Sequence, residues 1–157
     1  MTMTAALSPE FLLHIRQEID IKAPIAIAFD ALLEQLGPAS EMMDGKPMPM
    51  KIEPWPGGRW FRDLGNNTGH LWGHVQVIKP PKLLELWGPM VMSFAAINHI
   101  QYRLTEQSNG TRLALLHRAM GEIPPEHRDG MPKGWEHILE KIRENAERRK
   151  GGGSGRR

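Results

Sequence analysis

No cysteine occurs in the 157 residues, which excludes a disulfide framework, a thiolate metal site and a thiol nucleophile, and fits a reducing compartment. Aromatic residues are few, 6% in all, with a single tyrosine. No apolar run is long enough to cross a bilayer. The least polar stretch, 86–97, is about twelve residues long and is broken by Gly88, Pro89 and Ser93, whereas a span needs roughly 20. The first basic residue is Arg16, so no charged segment precedes an apolar one as in a secretory signal. These absences predict a cytoplasmic protein with no membrane span.

A broad positive face is also lacking. The net charge of +2 conceals seven basic residues against two acids between Lys141 and Arg157, a local +5 that leaves −3 on the other 140 residues. A slightly acidic body with a basic tail does not offer the surface that phosphate neutralisation requires, so no nucleic-acid partner is expected. The remaining composition, 40% hydrophobic and 24% charged, is that of an ordinary globular domain. Its length suits one domain.

The pattern along the chain predicts a lead-in over 1–10, a domain over 11–149 and a flexible Gly-rich basic tail over 150–157. Strict alternation from Ile15 to Ile21 reads as a half-buried strand. Pro24 then opens a helix whose apolar residues, Ile25, Ala28, Phe29, Leu32, Leu33 and Leu36, recur at spacings of three and four until Gly37-Pro38. Ala39 to Pro47 reads as a loop or a loose helical turn. Six strand-like segments follow: Met48 to Glu53, Gly58 to Leu64, His70 to Ile78, Leu83 to Trp87, Ala96 to Thr105 and Thr111 to Met120. Turn residues such as Pro56-Gly57-Gly58, Pro80-Pro81 and Asn109-Gly110 separate them. Short connections favour antiparallel pairing. Met131, Trp135, Ile138, Leu139, Ile142 and Ala146 then mark one face of a long helix running to about Arg149. The fold class expected is α+β: a curved seven-stranded antiparallel sheet wrapped around a long C-terminal helix.

Several constellations carry no chemistry. His70 and His74, four apart on a strand, stand about 13 Å from each other, too far to share an ion, so no metal site and no cofactor are expected. The serines lack a nucleophile-elbow pattern, and Gly57-Gly58 lacks the spacing of a phosphate loop. Ten methionines supply adaptable apolar surface, as core filling or as the rim of a cavity. Buried polar groups discriminate better, because each needs a partner. Strand parity turns Asn98, Tyr102 and His117 inward and sets Arg62 on one face with Trp60 and Leu64. An inward histidine is satisfied either by neighbouring protein groups or by the polar end of a ligand.

The element order, Ala23-Pro24 opening the first helix, the Pro56-Gly57-Gly58-Arg59 turn, Gly73 followed by Pro80-Pro81, and Gly110-Thr111-Arg112-Leu113 leading to His117 resemble the START-like, or SRPBCC, superfamily. Within it the chain is similar to the branch related to the C-terminal domain of the activator of heat-shock protein 90 ATPase, with Gly134-Trp135 opening the final helical stripe. The resemblance covers about residues 14–149 and implies a helix-grip fold with a cavity between sheet and long helix. It also implies an apolar small-molecule ligand of lipid, polyketide or aromatic type. The residues expected to line the cavity are Trp60, Arg62, Trp87, Asn98, Tyr102, His117, Trp135 and Leu139. Two alternatives follow. One is a cyclase- or hydrolase-type enzyme, with His117 as general base and Arg62 or Asn98 polarising a carbonyl. The other is a co-chaperone-like module with a chaperone partner. Fold alone does not choose among these.

Overall fold

The computed structural model describes residues 9–90 and 93–152, so the expected lead-in up to Ser8 and the tail from 153 onward lie outside the described residues. Seven strands form one antiparallel sheet: β1 (Leu12–Ile21), β2 (Lys51–Ile52), β3 (Arg59–Gly65), β4 (Thr68–Lys79), β5 (Leu83–Gly88), β6 (Ala96–Gln107) and β7 (Gly110–Gly121). Their order across the sheet is β1-β7-β6-β5-β4-β3-β2. Helix α1 (Ile25–Leu36) joins the strands at the two edges, and helix α2 (Pro125–Gly152) ends the described chain. This is the helix-grip arrangement that the alternating and helical patterns predict.

The core lies between one sheet face and the two helices. Helix α1 buries Ala28, Phe29, Ala31, Leu32 and Leu36, and α2 buries Trp135, Leu139, Ile142 and Ala146 at spacings of four, three and four. From the sheet come Ile15, Val75, Leu84, Leu86, Ile100, Leu104, Leu113 and Leu115. The indole N–H of Trp60 donates to the Leu36 carbonyl at 2.9 Å, fixing the C-terminal end of α1 against β3. One glycine is essential to the sheet. Gly88 adopts φ 151°, and a Cβ there would lie 2.4 Å from the Gly73 Cα and 2.6 Å from the Trp72 carbonyl, so β4 and β5 close together only without a side chain.

Two boundaries differ from the sequence pattern. The strand expected over Met48 to Glu53 shrinks to Lys51–Ile52, because the Met48 and Met50 amides donate to the carbonyls of Ser40 and Gly37 instead of to a neighbouring strand. The 39–47 segment is a loop closed by a bridge between Glu41 and Pro47. Helix α2 begins at Pro125, six residues before the apolar stripe, and runs past Arg149 to Gly152. Proline is well suited to a first helical turn, whose N–H groups have no helical acceptor, so Pro125 starts the helix.

The long helix also covers the open edge of β1. Arg128 donates to the Leu12 and Glu10 carbonyls. The Gln17 amide donates to the Pro132 carbonyl at 2.8 Å, and the Glu147 carboxylate accepts the Lys22 N–H at 2.8 Å. These bonds tie the helix to the first residue of β1, to the backbone on either side of that strand and to the Gln17 side chain.

Candidate functional site between sheet and helix

Strands β6 and β7 form an unbroken hairpin, in register from Ala96 opposite Gly121 to Gln107 opposite Gly110. Period-two alternation then turns Asn98, Ile100, Tyr102 and Leu104 of β6 to the same face as Leu113, Leu115, His117 and Ala119 of β7, and all eight are buried. Trp135 of α2 lies across this face. Its ring stands edge-on to His117, with centroids 5.5 Å apart, and edge-on to Tyr102 at 6.1 Å.

A hydrogen-bonded relay runs through this layer. The Trp135 indole N–H reaches His117 Nδ1 at 3.0 Å. An indole only donates, so Nδ1 accepts and the imidazole proton sits on Nε2. Nε2–H then donates to Asn98 Oδ1 at 2.8 Å, and the Asn98 amide donates to the carbonyls of Gly88 and Pro89 at 3.2 and 3.3 Å. The chain thus links α2 through β7 and β6 to the end of β5. His117 is fully buried, and burial pushes its pKa down to about 4, so the ring is neutral at physiological pH.

This geometry satisfies the inward histidine with protein groups. Both ring nitrogens are committed to protein groups, leaving no lone pair for a general base, and Asn98 is committed in turn. For His117 to abstract a proton its bond from Trp135 would have to break, and for Asn98 to polarise a carbonyl its amide would have to leave Gly88 and Pro89. Arg62 is not brought to them either. It is half-buried on β3, four strands from β7, roughly 19 Å along the sheet at about 4.8 Å per strand.

Of the other predicted residues, Trp135 closes the relay from α2, Leu139 is buried four residues further along that helix, and Trp60 is buried nearer α1. Trp87 is a correction. Leu84 and Leu86 are buried, so alternation sends Trp87 to the opposite face, where it is 45% exposed and its ring lies 5.7 Å from that of His74. It lines no space between sheet and helix.

One group in the layer lacks a partner. The hydroxyl of Tyr102 is buried with no hydrogen bond among the described residues, and burial pushes its phenol pKa well up. Trp72 Nε1, buried on β4, is likewise unpaired among them. The pattern alone gave no sign of Trp72, because a bulge in β4 opposite Trp60 and Phe61 sets its position. Two open concavities of about 680 and 660 Å³ lie elsewhere. One sits between β1 and α2, bordered by Gln17, Ile19, Lys133, His137 and Leu139, and the other beside Pro24, Gln107 and Lys150. Leu139 alone of the predicted residues borders either.

The model of the family described as Activator of Hsp90 ATPase homolog 1-like protein matches residues 22–147. Among solved structures, an uncharacterized protein from Rhizobium leguminosarum superposes with a TM-score of 0.68 at 16% identity, covering 87% of this chain and 95% of that one. CalU16 from Micromonospora echinospora gives 0.57 at 21% identity, over 86% and 75% of the two chains. DynU16, a protein in the dynemicin biosynthetic locus, gives 0.61 at 15% identity, over 92% and 49%. No curated protein sequence matches the chain significantly. At these identities the likeness is one of fold.

Proposed function

This chain belongs to the Activator of Hsp90 ATPase homolog 1-like family, and from that premise we propose that it binds an apolar small molecule, of lipid, polyketide or aromatic type, between the sheet and α2. The observation that carries the reading is the Tyr102 hydroxyl, buried beside Trp135 and without a hydrogen-bond partner among the described residues. An unsatisfied buried hydroxyl costs about 1–3 kcal/mol, which an acceptor on a ligand recovers. Around it the surface is apolar and aromatic, with few polar groups, the usual lining of a small-molecule site. The layer is closed around Tyr102, so binding displaces α2 against the sheet. The fold relative from a biosynthetic locus supports the small-molecule reading by analogy. We place the protein in the cytoplasm on the same reading, since a cysteine-free chain needs no oxidising compartment.

Native mass spectrometry of freshly purified protein tests for a co-purified small molecule. Titration of lipids, polyphenols and esters, followed by tryptophan fluorescence and product analysis, then compares wild type with Tyr102→Phe. The variant keeps the ring and loses one neutral hydrogen bond, so it binds about 2- to 12-fold more weakly without change of chemistry. Equal affinity in the two proteins overturns the role of the hydroxyl. Product formed by the wild type replaces the binding reading with an enzymatic one.

A further inference from the structure

A second unpaired donor bears on what kind of molecule the layer between sheet and α2 accepts. On strands β3 to β7, two buried side-chain polar atoms have no hydrogen bond among the described residues: the Tyr102 hydroxyl and Trp72 Nε1. The remaining buried polar side chains of these strands are satisfied. Trp60 donates to the Leu36 carbonyl and Thr111 to that of Ala23, while Asn98 and His117 are joined in the relay. Trp72 is only 9% exposed, and its ring stands edge-on to that of Trp60 with centroids 5.2 Å apart.

The backbone sets the direction of this indole. Trp60 pairs with Gly73 and Phe61 with Leu71, so Trp72 is the extra residue of a bulge in β4. A bulge gives up ladder bonds and re-aims a side chain, and here it turns Trp72 onto the buried face beside Trp60. The registers then place it relative to Tyr102. Val75, Leu86 and Ile100 form one buried row across β4, β5 and β6. Trp72 lies three residues to one side of that row on β4, and Tyr102 lies two residues to the other side on β6. Their Cα atoms are therefore roughly 16–19 Å apart, at about 3.3 Å per residue along the sheet and about 4.8 Å per strand across it, the lower figure allowing for the bulge. The floor between them is apolar.

We propose that the ligand of this layer is an elongated, uncharged molecule with a carbonyl-type acceptor toward each end, one taken by the Tyr102 hydroxyl and the other by Trp72 Nε1. The inference rests on the binding of an apolar small molecule between sheet and α2, and it narrows the class of that molecule. An indole N–H donates and never accepts, so the group that meets Trp72 is an acceptor. Neither donor is charged. Burying an ionised carboxylate against neutral donors costs far more than burying a hydrogen-bonded carbonyl, which favours a ketone, ester or amide over an acid. A lipid with one polar head satisfies one donor and leaves the other orphaned. A polyketide-type chain, with carbonyls spaced along an apolar skeleton, satisfies both and lays its middle over Leu86 and Val75.

Isothermal titration calorimetry of the full chain with dimethyl sebacate and with methyl decanoate tests this, since the two esters share an apolar length and differ in carrying two acceptors or one. Wild type binds the diester about 2- to 12-fold more tightly, the worth of one neutral hydrogen bond. In Trp72→Phe, with circular dichroism confirming the fold, the diester falls to the affinity of the monoester. Equal affinity of the wild type for the two esters overturns the two-ended ligand and leaves binding at Tyr102 standing. A diester advantage that persists in the folded variant does the same. Binding of neither ester overturns the small-molecule reading, and this inference with it. The comparison within the wild type holds whether or not the variant folds.

Discussion

Acidification from pH 7 to pH 4 removes a calculable part of the folding free energy through one residue. His117 is neutral and buried, with Nδ1 accepting from Trp135 and Nε2 donating to Asn98. Protonation adds a charge to the core and takes away the lone pair that holds the helix. Burial lowers its pKa from 6.5 to about 4 in the folded protein. The unfolded chain therefore binds more protons throughout that interval, so stability rises with pH across it. The contribution is complete above pH 6.5, falls as the pH drops toward 4, and changes no further below. A separation of about 2.5 pKa units corresponds to roughly 3 kcal/mol at about 1.4 kcal/mol per unit. Urea denaturation between pH 4 and 7, compared in wild type and His117→Gln, isolates this slope. The half-buried Glu53, its carboxyl lowered to about 2 by hydrogen bonds to Arg59, loses its contribution between pH 4.5 and 2, largely below that window. Parallel slopes in the two proteins between pH 4.5 and 6.5 would refute the reasoning, as would an NMR titration placing His117 near 6.5.

Leu139→Ala truncates a side chain only 2% exposed beneath α2, and its expected cost is about 2–5 kcal/mol, read as a clear fall in melting temperature. An unchanged melting temperature would remove Leu139 from the core. Gly88→Ala places a methyl group against Gly73 and the Trp72 carbonyl at a φ that disfavours side chains. A loss of more than about 2 kcal/mol is expected in chemical denaturation, and wild-type stability would show that β4 and β5 do not approach so closely.

Much of the candidate site is legible in local pattern. Alternation in β6 and β7 identifies Asn98, Tyr102 and His117 as inward, and the three-and-four spacing of the last helix identifies Trp135 and Leu139. Alternation also carries the outward direction of Trp87, the residue next to Leu86, which with Leu84 holds the buried alternate positions of β5, so Trp87 does not belong with the cavity residues. Side-chain direction is a property of a few consecutive residues, which is why the sequence suffices for it.

Partnership is not local. That Trp135 and Asn98 close on the two nitrogens of His117 depends on where a helix beginning at Pro125 crosses the sheet. That Leu12, Met120 and Ile97 form one row depends on β1 pairing with β7, a contact between residues about a hundred positions apart. The residue types and their facing were written in the chain, but register and helix placement are chosen by the packing of the whole core. Tertiary structure therefore decided that the inward histidine is a satisfied link, that the Tyr102 hydroxyl is left without a partner among the described residues, and that outward residues of three strands become one apolar row.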